Sequence, residues 1–173
     1  EWIKMKDIYD TLEFNQIKKR ISEYCASDLA KEQVLKIMPF SDYDDLLLEQ
    51  KYLDQAIRLV YKYGRLPIGS FVDIKPYLNK ANKDGTLFGD EFVAIVYLLN
   101  NVKEIKEYLD DKELDDDELF QFCQQLILPK QLLDSINRCI DSSGNVLDSA
   151  SPKLKQLRRQ IISIETNIRS RIE

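Results

Sequence analysis

The sequence predicts an all-α protein, and three observations carry that reading. Five Gly and five Pro in 173 residues leave few turn signals for a many-stranded sheet. Apolar residues recur at helical spacing along most of the chain, with Ser or Asp ahead of them and Gly or Pro behind. The last stretch, from Ser142 to Glu173, runs into an apolar heptad. The expected architecture is a helical core domain with a long C-terminal heptad helix and at most a short hairpin near residues 140–150. Residues 5–141 read as the core domain, and residues 142–173 as a turn plus the truncated start of the long heptad helix. Glu1 to Lys4, ahead of Met5, read as tag or leader residues.

Taken in order, Leu12, Phe14, Ile17, Ile21 and Tyr24 fall on one face of an amphipathic helix, with Lys18, Lys19 and Arg20 on the other. Ser27 is placed to cap a second helix through Leu29, Val34 and Ile37, which Pro39 stops. Ser41-Asp42-Tyr43-Asp44 reads as a variant capping box with an acidic first turn. It opens a long helix with Leu46, Leu53, Ile57 and Val60 inside and Gly64 as its stop. Arg65 to Phe71 is a loop. Asp73 is expected to cap a short helix that carries Pro76 in its first turn and ends near Asn82, and Lys83-Asp84-Gly85 is a turn.

Asp90 to Asp110 reads as the central core helix, because Phe92, Val93, Ile95, Val96, Leu98, Leu99, Val102, Ile105 and Leu109 cover more than half its circumference. Asp110 to Glu118 holds seven acids against one Lys and reads as a solvated link whose last acids start the next helix. Leu119 to Leu128 and Gln131 to Ile140 are two shorter helices on either side of Pro129. Ser143-Gly144-Asn145 is a turn, and Ser151 with Pro152 signals the start of the last helix. There Leu154, Leu157, Ile161, Ile164 and Ile168 alternate in steps of three and four, with Ile172 beside the last d position, Arg171. Nothing at Glu173 stops the helix, so the chain reads as a piece of a longer protein.

Composition excludes much chemistry. The chain has no histidine, which removes His-dependent triads, most zinc sites and the usual general base. It has no phosphate-cradling loop followed by lysine, since Gly85 and Gly89 are wrongly spaced and Asp90 follows. Asn82, Asp84, Gly85, Leu87 and Glu91 match positions of a calcium-binding loop, yet Lys80 stands where the first carboxylate belongs, which argues against calcium. The acids at Asp115-Asp116-Asp117 point in different directions on a helix and suit a solvated link better than a metal cluster. No catalytic, cofactor-binding or metal-ligating residue is assigned. Cys25, Cys123 and Cys139, an odd number without C-x-x-C spacing, read as buried free thiols in a reducing cytoplasm. No apolar run is long enough to span a membrane, so no membrane partner is expected.

The net charge of −5 is uneven: residues 153–173 carry six Lys/Arg against two Glu, a balance of +4 that leaves −9 for residues 1–152. Arg158, Arg159, Arg169 and Arg171 are therefore the candidates for nucleic-acid contact, against the plainer reading of a basic solubilising face. The seam of Leu154, Leu157, Ile161, Ile164, Ile168 and Ile172 represents on the order of 10 kcal/mol of burial at roughly 1.5 kcal/mol per side chain. It calls for a partner: a helix outside the chain, a second copy, or the chain's own body.

Leu12-Glu13-Phe14 leading to Ile17, Pro67-Ile68-Gly69 followed by Asp73-Ile74, and above all Gly144-Asn145-Val146-Leu147-Asp148-Ser149-Ala150-Ser151-Pro152 running into Leu154, Arg158, Arg159 and Ile161 carry a resemblance. Together they resemble the N-terminal region of the second bacterial MutS paralogue, MutS-two, from Met5 onward. The resemblance implies a helical core with an outgoing lever arm that leads to a clamp. In the parent it implies an ATPase using ATP and Mg, a C-terminal Smr endonuclease domain, a homodimer, and action on branched DNA and collided ribosomes. The ATP and nuclease motifs of that family lie outside residues 1–173. The piece itself would transmit motion, in contact with the remainder of its parent chain, the clamp and the ATPase. The rival expectation is a helical scaffold that self-associates through the Leu154 to Ile172 seam; a third is a basic-helix nucleic-acid binder.

Overall fold

The computed structural model describes residues 9, 11–110, 112 and 118–172, and among these the chain is all helical. The helices are α1 (Phe14–Ser22), α2 (Asp28–Lys36), α3 (Tyr43–Tyr63), α4 (Lys75–Ala81), α5 (Gly89–Asp110), α6 (Glu118–Gln124), α7 (Lys130–Cys139) and α8 (Pro152–Ile172), with a short 3₁₀ turn at Asp148–Ala150. A single antiparallel bridge joins Ile140 and Val146, which is the hairpin expected near 140–150 at its smallest. Glu1 to Lys4 and most of the acidic link, residues 111 and 113–117, lie outside the described residues.

The chain divides into two compact units. One comprises the residues up to Asp73 with Asn100–Leu128; the other comprises Ile74–Leu99 with Pro129 onward. The sequence boundary at 141/142 falls inside the second unit, and α5 is shared, with the division between Leu99 and Asn100.

In the first unit, local signals set the helix ends. Ser27 Oγ accepts from Ala30 N at 3.2 Å and starts α2. For α3 the cap is Asp42 rather than Ser41: its carboxylate accepts from Asp44 N at 2.8 Å and Asp45 N at 3.1 Å. Gly64, at φ 86°, ends that helix in a conformation closed to most side chains. The core forms around Leu59 and Leu109, with Tyr63, Leu66, Ile105, Tyr108, Phe120 and Cys123 packed against them.

The buried face of α3 differs from the one expected. Leu53, Ile57 and Val60 are exposed, at 62%, 46% and 45%, whereas Gln55 and Leu59 are buried. The helix is apolar on two sides, and the line through Tyr52, Gln55, Leu59 and Tyr63 wins because Gln55 has a partner to satisfy it. Its Oε1 accepts from Leu119 N at 2.8 Å and its Nε2 donates to the Glu118 carboxylate, so this side chain caps α6 from α3. Glu118 thus starts α6, as the end of the acidic link was expected to do, and Lys51 pairs with it at 3.3 Å.

A second correction concerns α1. Lys18, expected on the polar face, is 9% exposed, while Leu12, Ile17, Ile21 and Tyr24 are exposed. Its Nζ donates to Leu35 O at 3.0 Å and Ile37 O at 3.3 Å and sits 5.0 Å from the centre of the Phe14 ring. An ammonium on the carbonyls at the C-terminal end of α2 satisfies groups the helix leaves open and meets the negative end of its dipole. The half-buried Cys123 thiol is pushed up by burial, against an opposing influence of Lys106; the three cysteines are free and half-buried rather than buried.

In the second unit Ile95, Leu99, Leu133 and Ile136 are buried. The cap residue of α4 is Ile74, without a side-chain bond, and not Asp73; Pro76 lies in the first turn as expected. After α4 the chain closes with Gly85 N on Lys80 O at 2.9 Å and Asp84 N on Ala81 O at 3.0 Å, with Asp84 at φ 56°. This is the paired bonding of a Schellman turn, with Asp in the left-handed position. Lys80, the cation in place of a first calcium ligand, binds both Glu91 oxygens at 3.0 and 2.8 Å.

Candidate functional site

The residues singled out in the sequence gather on α8 and on the turn that precedes it. Ser151 Oγ accepts from Leu154 N at 3.1 Å, and Pro152 takes the first helical position, so the start of the helix is set as expected. Leu154 is half-buried. From there the seam comes into the open, with Leu157 43%, Ile161 55%, Ile164 58%, Ile168 52% and Ile172 80% exposed.

The base of α8 is fixed by contacts that sequence reasoning did not find. Asp141 holds the turn, accepting from Ser143 N at 2.8 Å, from Asn145 N at 2.9 Å and from Asn145 Nδ2 at 3.2 Å. The Asn145 backbone bond, followed by its side-chain bond, holds the Asp141 carboxyl below its ordinary range. Asp141 N and Leu147 N close the hairpin on Asn145 O and Cys139 O at 2.9 and 2.7 Å. Ser149 Oγ donates to Arg138 O at 2.6 Å, which ties the 3₁₀ turn to the end of α7. Arg158 Nη1 then reaches back to Asp148 at 2.7 Å while its Nη2 donates to Val146 O at 2.8 Å. A planar guanidinium held at two points fixes direction as well as distance.

The remaining fastener is the meeting of two glycines. A Cβ on Gly89 would lie 1.8 Å from Gly144 O, so the backbone of the turn rests against the first residue of α5 with no room for a side chain. Gly144 itself, at φ 82°, is in the left-handed region. Gly144 to Ser151, the run that carried the resemblance, is therefore the mounting of α8: a close backbone approach, a carbonyl and a carboxylate for Arg158, a hydroxyl for α7 and a cap. The one clue available in the sequence was that run; its contacts with Gly89 and Arg138 are long-range and left no local signal.

The four arginines do not share one stripe. At 3.6 residues per turn Arg158 and Arg169 lie along one line, while Arg159 and Arg171 project to other sides. Arg158 is engaged by Asp148 and Val146; Arg159, Arg169 and Arg171 are exposed. Among the described residues no group of three or more His, Cys, Asp or Glu is placed to hold a metal, and no helix is long and apolar enough to cross a membrane. A cleft in the first unit, lined by Tyr24, Val60, Arg65, Leu66, Ile68 and Phe71 among others, is mainly apolar.

No protein-family model matches the chain. It is 32% identical over 173 residues to the endonuclease MutS2 of Halalkalibacterium halodurans, covering 98% of this chain and 22% of that protein. It is 32% identical over 169 residues to the putative endonuclease MutS2 of Bacillus subtilis, covering 96% of this chain, and 28% identical over 169 residues to the endonuclease MutS2 of a Geobacillus strain. The chain spans about a fifth of the length of these curated relatives. With nearly all of its residues aligned to such proteins, the chain belongs to the MutS2 family, of whose members it represents one segment.

Proposed function

We propose that this chain is the N-terminal core of a MutS2-type ATPase and carries the start of its lever, transmitting motion between an ATP site and a nucleic-acid clamp. The single observation behind this reading is an exposed heptad helix on a fixed base. Its 21 residues extend about 32 Å at 1.5 Å per residue. Arg158, Ser149 and the Gly89–Gly144 approach oppose rocking at the near end, so a displacement of the second unit is carried to the tip rather than absorbed in the turn. The seam from Leu157 to Ile172 supplies the gripping surface for the next part of the machine.

In this reading the segment contributes no catalytic residue. ATP, Mg and the endonuclease chemistry named in its relatives belong to other parts of the parent, which acts in the cytoplasm as a dimer on branched DNA or stalled ribosomes. The exposed Arg159, Arg169 and Arg171 add a salt-sensitive attraction to phosphate.

The test is made in the full-length parent. Replacing Ile161 and Ile164 with Asn is expected to leave basal ATP hydrolysis in place and to abolish its response to branched DNA and to ribosomes. A double variant whose ATPase still responds fully to both would overturn the lever reading.

A further inference from the structure

Tilt of α8 is resisted at very few points. The helix packs chiefly against the 3₁₀ turn. Its cap at Ser151 and the half-buried Leu154 both lie at the first turn, too near the pivot to fix a direction. Arg158 is the hold farthest along: it stands about 9 Å from Pro152 on the helix axis, whereas Ile172 stands about 30 Å away, at 1.5 Å per residue. Among the described residues, nothing on α8 beyond Arg158 forms a hydrogen bond or ion pair with the rest of the chain. A slack of about 1 Å at that guanidinium therefore becomes about 3 Å at the tip.

The hold is also one that can be exchanged. The Arg158 and Asp148 side chains are 42% and 49% exposed, so their ion pair lies open to water and contributes little by itself. A planar guanidinium takes a phosphate in the same two-point manner as a carboxylate. Cations that draw phosphate stand on the same helix: Arg159 and Arg169 are exposed and have no ion-pair partner among the described residues. Asp148 is tethered beside Arg158, at an effective concentration on the order of millimolar or above, so a lone phosphate competes poorly with it. A chain of phosphates, held at several cations at once, competes well.

We propose that Asp148 and Arg158 are the catch of the lever: closed, the pair fixes the direction of α8; opened, when a nucleic-acid phosphate takes Arg158 from Asp148, it lets the tip swing. Arg158 is then a positioning residue in the free chain and a phosphate contact in the bound one, and Asp148 holds the place of that phosphate. The Gly89–Gly144 approach and the Ser149 bond keep the turn seated while the helix moves. The inference rests on the lever reading and supplies its switch, because it names what nucleic acid changes at the base of α8.

The test uses the 173-residue chain, a short DNA duplex and inorganic phosphate. Amide residual dipolar couplings compare α8 with α7, which belongs to the same unit. Asp148→Asn and Arg158→Gln are each expected to lower the couplings of α8 at least about twofold while α7 keeps its own. On the duplex the two variants diverge. Asp148→Asn is expected to bind at least about threefold tighter than Glu165→Gln, an equal change of charge, whereas Arg158→Gln binds more weakly than wild type, with a salt slope lower by about one phosphate. A purely structural pair would move the order of α8 and not these affinities. In the wild type the duplex is expected to loosen α8, and inorganic phosphate at the same ionic strength to leave it in place. Couplings of α8 that Asp148→Asn leaves unchanged, or an Arg158→Gln chain that binds the duplex as the wild type does, overturn the proposal. So does loosening by inorganic phosphate equal to that by the duplex, which marks a site for the free anion. If the catch opens as described while the parent's ATPase keeps its full response in the Ile161 and Ile164 double variant, the lever fails and the catch stands. If α8 never loosens while that response is lost, the catch alone fails.

Discussion

Gly89 and Gly144 meet backbone to backbone, so closely that a single methyl group on Gly89 would stand 1.8 Å from the Gly144 carbonyl oxygen. The start of α5 and the turn beneath α8 can approach to this degree only because both residues lack a side chain. Gly89→Ala is therefore expected to destabilise the second unit by about 3 kcal/mol, since a backbone oxygen cannot step aside as a side-chain tip would. Gly64→Ala is the contrast. Nothing lies within 4 Å of its added methyl, and its cost, about 1–2 kcal/mol, comes only from φ 86°. Urea denaturation of both variants checks the order; a larger loss at Gly64 than at Gly89 would contradict the close approach.

Lys18→Met keeps the length of the side chain and removes its charge. The carbonyls of Leu35 and Ile37 then lose their donor, and the loss is expected to be about 2 kcal/mol, in the range for hydrogen bonds to a charged group. Amide exchange across residues 34–40 should accelerate. Unchanged exchange there would mean that the ammonium is a passenger on α1.

Gln55→Leu tests the link between α3 and α6. Leucine suits the buried position but leaves Leu119 N and the Glu118 carboxylate without their amide partner, at an expected cost of about 1–2 kcal/mol. Exchange at Leu119 to Cys123 reports it. A variant as protected as the wild type would show that packing on Leu59 alone seats the helix.

Acid should loosen the start of α5. The Lys80 ammonium, and after it the Phe88 N–H, hold the Glu91 carboxyl below its ordinary 4.5. A carboxyl with a depressed pKa in the folded state contributes stability that is complete above its unfolded value and is lost as the pH falls through the folded one. The Phe88 amide resonance is thus expected to titrate with a midpoint below 4.5, and Glu91→Gln should abolish that titration. A midpoint at or above 4.5 would refute the pairing.

Most helix limits were legible in the sequence because their causes are local. Ser27, Gly64 and the Ser151-Pro152 pair act on groups no more than a turn away, so residue type and spacing suffice to place them. The caps of α3 and α4 were misplaced by one residue. Ser41 and Asp42 offer equivalent oxygens, and only the backbone path decides between them. The absence of histidine and of a phosphate-binding loop was equally plain, because composition alone establishes it.

The sequence by itself therefore determined the helical class, the order of the helices, the heptad of α8 and the MutS2 resemblance, since each is encoded in neighbours along the chain. Tertiary structure alone decided which apolar face of α3 is buried, why Lys18 turns inward, and how Gly89, Gly144, Asp148 and Arg158 fasten α8 at its base. Periodicity states that a face is apolar but not what it meets. A buried amide or ammonium is favourable only where a carbonyl or carboxylate from a distant segment arrives to satisfy it.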